Sequence, residues 1–142
     1  MTTQQKRTKL QKKCDKKYQE IGRMLYSECL ICGGEYSCLH HYYPKSTCAA
    51  LRYNLKNGIP ICVKCHCRLH SSDDPTINNA ILRKMGFIWL DELETIKRNT
   101  FIKTSLTYYE AVLENLNRIE PLSLNKNHVY NKKTIRKIKK QS

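Results

Sequence analysis

Between residues 10 and 25, Leu10, Cys14, Tyr18, Ile21 and Leu25 recur at three- and four-residue steps among lysines. That spacing is the helical period, giving one apolar stripe and a cationic back. The period disappears over residues 29–70, where apolar runs are short and Gly33-Gly34 and Asn57-Gly58 mark turns. Such runs predict a β-hairpin with strands near 37–43 and 59–61, followed by a helix from Val63. Asp74 then reads as an N-cap with Pro75 at the first helical position, and Gly86 closes that helix. A short helix is expected from Trp89 to Lys97, with Trp89, Leu93 and Ile96 on one face. Another begins near Thr104–Thr107, where Thr107 and Glu110 suit a capping box. It turns Leu106, Tyr109, Leu113 and Leu116 inward and ends before Pro121. Residues 125–142 carry few large apolar groups and read as a mobile tail.

Charge sharpens this picture. The 142 residues carry a net charge of +14, an excess that points to a polyanionic partner. Residues 1–28 hold eight Lys/Arg against three acids, residues 29–124 eleven against nine, and residues 125–142 seven against none. A nearly balanced body thus lies between two basic ends. The N-terminal segment is polar and charged, unlike a secretory signal, and no stretch approaches the roughly 20 apolar residues that span a bilayer. The expectation is a cytoplasmic chain without a membrane partner, in which eight cysteines serve metal ligation rather than disulfides.

Cys29-x-x-Cys32 and Cys62-x-x-Cys65 form two knuckles whose four thiolates suit one tetrahedral structural zinc. Cys14, Cys38, Cys48 and Cys67 remain; buried free thiols are the expected fate, with Cys38 or Cys67 as substitutes for a knuckle cysteine. Cys62-Val-Lys-Cys65-His66 also fits a c-type haem attachment motif, but haem attachment requires export and leaves the first knuckle unexplained. A four-cysteine zinc site uses no histidine, yet His40, His41, His66 and His70 fall in the same stretch. His66 and His70 are four apart on the predicted helix and share a face. His40 and His41 are strand neighbours pointing to opposite faces, so one can bind a metal while the other handles a proton. Lys45, Arg52, Lys56 and Arg68 are candidate phosphate contacts within the same stretch.

This set of residues resembles the HNH, or ββα-metal, nucleases: a His-His pair on the first strand, an asparagine before the second, and a histidine heading the helix. His40-His41, Asn57 and His66 stand at those places, and the paired knuckles resemble the members stapled by four cysteines. More narrowly, LHHYYPKS and LRYNLKNGIPICVKCHCRLH are similar to the C-terminal part of phage recombination nucleases of the NinG/Rap type, which act on branched intermediates. The resemblance implies that His40, His66 and His70 ligate a catalytic divalent metal, that His41 is the general base, and that Asn57 fixes the loop orienting it. Many HNH sites carry aspartate where His40 stands, so Zn²⁺, Ni²⁺ or Mn²⁺ competes with Mg²⁺ here. The products implied carry 5′-phosphate and 3′-hydroxyl ends.

The expected class is therefore α+β: a zinc-stapled ββα-metal unit over residues 29–72, flanked by a basic N-terminal helix in 1–28, a helical extension in 73–124 and the tail in 125–142. The expected function is a metal-dependent DNA endonuclease, in a bacterial host cytoplasm if phage-encoded. The alternative is a non-catalytic zinc-dependent DNA-binding module, which leaves His41 and His70 without a purpose. The helix around Leu106–Ile119 packs within the chain or pairs with a second copy as a homodimer.

Overall fold

The first helix extends further toward the N-terminus than its apolar stripe predicts. In the computed structural model, which describes residues 1–71 and 73–119, helix α1 runs Thr3–Leu25. Thr2 and Gln5 form a reciprocal capping box that starts it, so polar capping rather than apolar burial sets its first turns. Cys14, Tyr18, Ile21 and Leu25 are buried as the period requires. The tail expected over residues 125–142, and Pro121 itself, lie outside the described residues.

Strands β1 (Cys38–His41) and β2 (Gly58–Ile61) pair antiparallel, with His40 opposite Ile59 and His41 opposite Gly58. Strand β1 is shorter than the expected 37–43, because Tyr42 and Tyr43 already belong to the connecting loop, while β2 matches the expected 59–61 with Gly58 added. Leu39 faces Pro60, and at this position the main-chain groups point away from the partner strand. The outer edge of β1 is closed by Gln19 of α1, whose side-chain amide accepts from Leu39 N at 2.9 Å and donates to Leu39 O at 3.0 Å. On the outer edge of β2, Pro60 has no N–H and needs no acceptor, and its carbonyl accepts from Leu30 N at 2.9 Å. Two short strands thereby gain the hydrogen bonds a larger sheet would supply.

The β1–β2 connection contains a one-turn helix α2 (Ala49–Arg52) and a 3₁₀ turn (Leu55–Asn57), neither foreseen from the pattern. Helix α3 (Val63–Leu69) follows β2 as expected. Helix α4 spans Thr76–Asn99 and breaks at Gly86, where φ is 83°. A Cβ there would meet nothing within 4 Å, so the left-handed backbone rather than crowding demands glycine. Pro75 rather than Asp74 is the N-cap residue and Thr76 the first helical one, which corrects the expected start by one residue; Asp74 Oδ1 still accepts from Thr76 N at 2.9 Å. Helix α5 (Leu106–Asn117) is capped by Ser105, which accepts from Tyr108 N at 3.2 Å; this corrects the Thr107–Glu110 capping box. Serine wins because its hydroxyl stands three residues before a free N–H at the first turn.

These parts share one core. Helix α1 packs along α5, Ile59 and Ile61 lie beneath, and Ile77, Ile81, Trp89 and Leu93 close the far side. The architecture is α+β: a two-stranded sheet within a frame of helices. Among the described residues no helix is long and apolar enough to cross a membrane.

Candidate metal and proton-transfer site

Two ligand clusters emerge, and each is built by a local turn. Cys29, Cys32, Cys62 and Cys65 bring their Sγ atoms within 4.8 Å of one another. The first pair sits on a turn completed by Gly33 at φ 78°, the second at the head of α3. Main-chain amides already point at the sulfurs: Ile31 N donates to Cys29, Gly34 N to Cys32 and Cys65 N to Cys62, at 3.3–3.4 Å. Burial raises the Cys29 and Cys65 thiols, while at Cys62 it is outweighed by donors from Cys65 and its neighbours, which bring the thiol down to about 7. Cys32 and Cys62 lie 3.6 Å apart, close to the roughly 3.8 Å edge of a tetrahedron with 2.3 Å zinc–sulfur bonds. The donor set therefore fits zinc.

The second cluster contains His40, His66 and His70, with ring nitrogens also within 4.8 Å of one another. His66 and His70 come from one face of α3 and its last turn, and their Nε2 atoms are 3.1 Å apart. That is about the separation of adjacent nitrogens on one ion with 2.0–2.1 Å bonds. His66 Nδ1 lies 3.5 Å from Cys38 Sγ, so its second nitrogen has its own partner. Burial first, then His66, His70 and His41, hold the His40 pKa down to about 4, which keeps a lone pair available. Of the cysteines outside the knuckles, Cys14 and Cys48 are buried as expected; Cys38 is half-exposed and Cys67 exposed. The correction for Cys38 follows from its place on the His40 face of β1, and neither residue joins the knuckle cluster.

His41 points to the opposite face of β1 and is 8% exposed. Its Nε2 lies 2.8 Å from the Arg52 carbonyl. A carbonyl only accepts, so Nε2 carries the proton and the neutral ring keeps its lone pair on Nδ1. Tyr18 stacks on the ring at 5.0 Å and is itself tied to Asn54 O by its hydroxyl at 3.0 Å. A Cβ on Gly58 would strike the Tyr18 hydroxyl, so this glycine is required for space. Burial lowers the His41 pKa, and the Arg52 carbonyl opposes this only in part.

The loop that presents Arg52 O is locked by Asn57, which is fully buried. Its side chain donates to Tyr43 O and Leu51 O at 3.1 and 3.2 Å and accepts from Tyr43 N at 2.8 Å. Trp89 adds a brace from α4, donating to Lys56 O at 2.7 Å. Gln19, Cys38, His40, His41, Lys45, His66 and His70 line one cleft of about 290 Å³. A larger hollow of about 580 Å³ lies by Tyr36, Ser37 and Val63 on the outer side of the cysteine cluster, and it contains no histidine.

The four candidate phosphate cations separate clearly. Lys45 lines the cleft. Arg52 makes a two-pronged ion pair with Asp15 at 2.8 and 3.1 Å, a contact that turns its charge inward. Lys56 pairs with Glu92 at 3.0 Å, and Arg68 lies 3.9 Å from Asp74. The residues missed by sequence reading are Asp15, Tyr18 and Gln19, all on α1. Tyr18 belongs to the apolar stripe and signals only burial, Asp15 and Gln19 carry no signal of their own, and nothing local reveals that α1 crosses β1. No protein-family model, curated protein or solved structure matches the chain.

Proposed function

We propose that this protein is a metal-dependent endonuclease of the HNH type that hydrolyses DNA phosphodiester bonds. The observation that carries the reading is the cleft itself: three imidazoles grouped for one ion, beside a fourth held in a single tautomer. A zinc would be held by Cys29, Cys32, Cys62 and Cys65, and a divalent ion by His40, His66 and His70. When bound, the second ion supplies Lewis-acid stabilisation of charge developing on the phosphate and the leaving 3′ oxygen.

The chain's own groups account for the rest of the chemistry. His41 Nδ1 accepts the proton of the attacking water, and the Arg52 carbonyl steadies the resulting imidazolium through Nε2–H. Tyr18 keeps the ring from rotating, and Asn57 keeps the carbonyl in place. Lys45 supplies positive charge to a phosphate entering the cleft. The P–O3′ bond breaks, the leaving oxygen takes a proton from solvent to become the 3′-hydroxyl of the upstream fragment, and the downstream fragment keeps the 5′-phosphate.

The test is cleavage of linear, nicked, flap and four-way DNA with Mg²⁺, Mn²⁺, Ni²⁺ or Zn²⁺, using wild type and His41→Ala. Wild type is expected to cut, with branched substrates preferred if the narrower NinG/Rap likeness extends to substrate choice. DNA binding without cleavage under every metal would favour the non-catalytic zinc-dependent module instead.

A further inference from the structure

Helix α1 carries eight of the chain's Lys/Arg residues against Asp15 and Glu20. Its core contacts decide which of those charges face outward together. Cys14, Tyr18, Ile21 and Leu25 define the buried stripe. Asp15 lies beside that stripe and is consumed by Arg52 and by the Tyr53 hydroxyl at 2.9 Å. Lys12, Lys16, Gln19 and Arg23 follow one another at steps of four, three and four residues, which places them on a single ridge. Glu20 stands four residues beyond Lys16, at the side of this ridge, and is half-buried.

Gln19 fixes where this ridge runs. Its amide is bound at both ends to Leu39, between Cys38 and His40, and the residue lines the histidine cleft. Lys16 stands three residues before Gln19 and Arg23 four after it on the helix surface, and Gln19 is the α1 residue that lines the cleft. Lys12, Lys16 and Arg23 are exposed, and among the described residues none has a salt-bridge partner. From Lys12 to Arg23 the helix rises roughly 16 Å, enough for several successive phosphates of one strand.

We infer that the Lys12–Lys16–Arg23 ridge is the track on which the sugar-phosphate backbone of duplex DNA lies as it enters the histidine cleft. The inference rests on the nuclease reading and names the surface that holds its substrate. Gln19 contributes no charge to the track; it anchors the track to β1. The lysines of the other flank, Lys6, Lys9 and Lys13, border a separate groove between α1 and α5 that also contains Glu110.

The experiment compares two triple variants of the full chain carrying the same loss of charge: Lys12→Gln/Lys16→Gln/Arg23→Gln and Lys6→Gln/Lys9→Gln/Lys13→Gln. Duplex affinity is measured by fluorescence anisotropy across a salt series, and cleavage is measured at saturating DNA. The ridge variant is expected to lose about tenfold or more in affinity and about 2–3 units of salt slope, since each phosphate contact contributes about 0.9. Its cleavage rate at saturation should match wild type, and the other triple should lose less than about threefold in affinity. Equal losses in both triples, or no loss in the ridge variant, overturn the track while leaving the nuclease reading intact. If wild type binds DNA without cutting it, the nuclease reading fails and the affinity comparison still decides the track. Wild type that does not bind duplex DNA at all overturns both.

Discussion

Cys29, Cys32, Cys62 and Cys65 close on one another from two tight turns, whereas His40, His66 and His70 line one wall of a cleft. The cysteine cluster offers four sulfurs, and three of its residues are buried. Its amide donors come from its own turns, so each knuckle is self-contained. The histidine cluster offers three nitrogens, none from a fully buried residue, and its support comes from other segments: Gln19 of α1 clamps the strand that carries His40, and Cys38 of β1 meets His66, while the 42–57 loop holds the neighbouring His41. Four closed ligands leave an ion no position for substrate, while three beside a cleft leave room for one. In our reading the first arrangement serves stability and the second serves chemistry.

The sharpest way to break this contrast is to remove one ligand from the closed cluster. Cys65→Ser should be largely unfolded at 25 °C, because structural zinc in small domains contributes on the order of 10 kcal/mol. Far-UV circular dichroism and zinc content check this, and a well-folded, zinc-free Cys65→Ser chain would contradict the assignment. Asn57→Ala should cost about 2–4 kcal/mol by stranding Tyr43 N, Tyr43 O and Leu51 O. It should also slow cleavage, since the Arg52 carbonyl loses its support. Thermal melts separate the two effects from a pure fold defect when kcat is measured well below the melting point.

Gln19→Ala sharpens the comparison from the other side. The loss should be about 1–2 kcal/mol, with kcat reduced and zinc content unchanged, because only the edge of β1 is released. Gln19→Glu, which keeps the acceptor for Leu39 N but not the donor, should fall between Ala and wild type. An unchanged kcat in Gln19→Ala would show that β1 needs no clamp. The smallest effect concerns pH. Burial sets the His41 pKa below its ordinary 6.5, so the neutral, proton-accepting ring persists down to that pH and is lost only below it. At saturating metal, kcat should stay level from alkaline pH to 6.5 and decline below; a decline beginning above 6.5 would place the base elsewhere.

The local parts of this molecule were legible in the sequence, and the long-range parts were not. Knuckle spacing, the period-four histidines and the alternation of His40 and His41 depend on neighbours a few residues away, and the structure brings each group together as spacing implies. Gly86 was readable for the same reason, since a left-handed break needs only its own φ. Gln19 looked like an ordinary surface glutamine because its partner lies twenty residues on, at a strand edge. Arg52 looked like a phosphate contact because Asp15 is thirty-seven residues away. The 42–57 loop hid its short helical turns because α2 has four residues and the 3₁₀ turn three, too few to express a period.

The central claim is the division of labour between His41 and the three-histidine cluster, and a metal titration of single-turnover DNA cleavage tests it most directly. Wild type, His41→Ala and His66→Ala are compared with Mn²⁺ raised to saturation, with folding and zinc content verified for each. His41→Ala should be slower by roughly 10²–10⁴-fold at every metal concentration, as expected when a positioned base is lost. His66→Ala should need far more metal for half-maximal rate and then recover much of its activity. Full rescue of His41→Ala by excess Mn²⁺, together with no rescue of His66→Ala, would contradict the account.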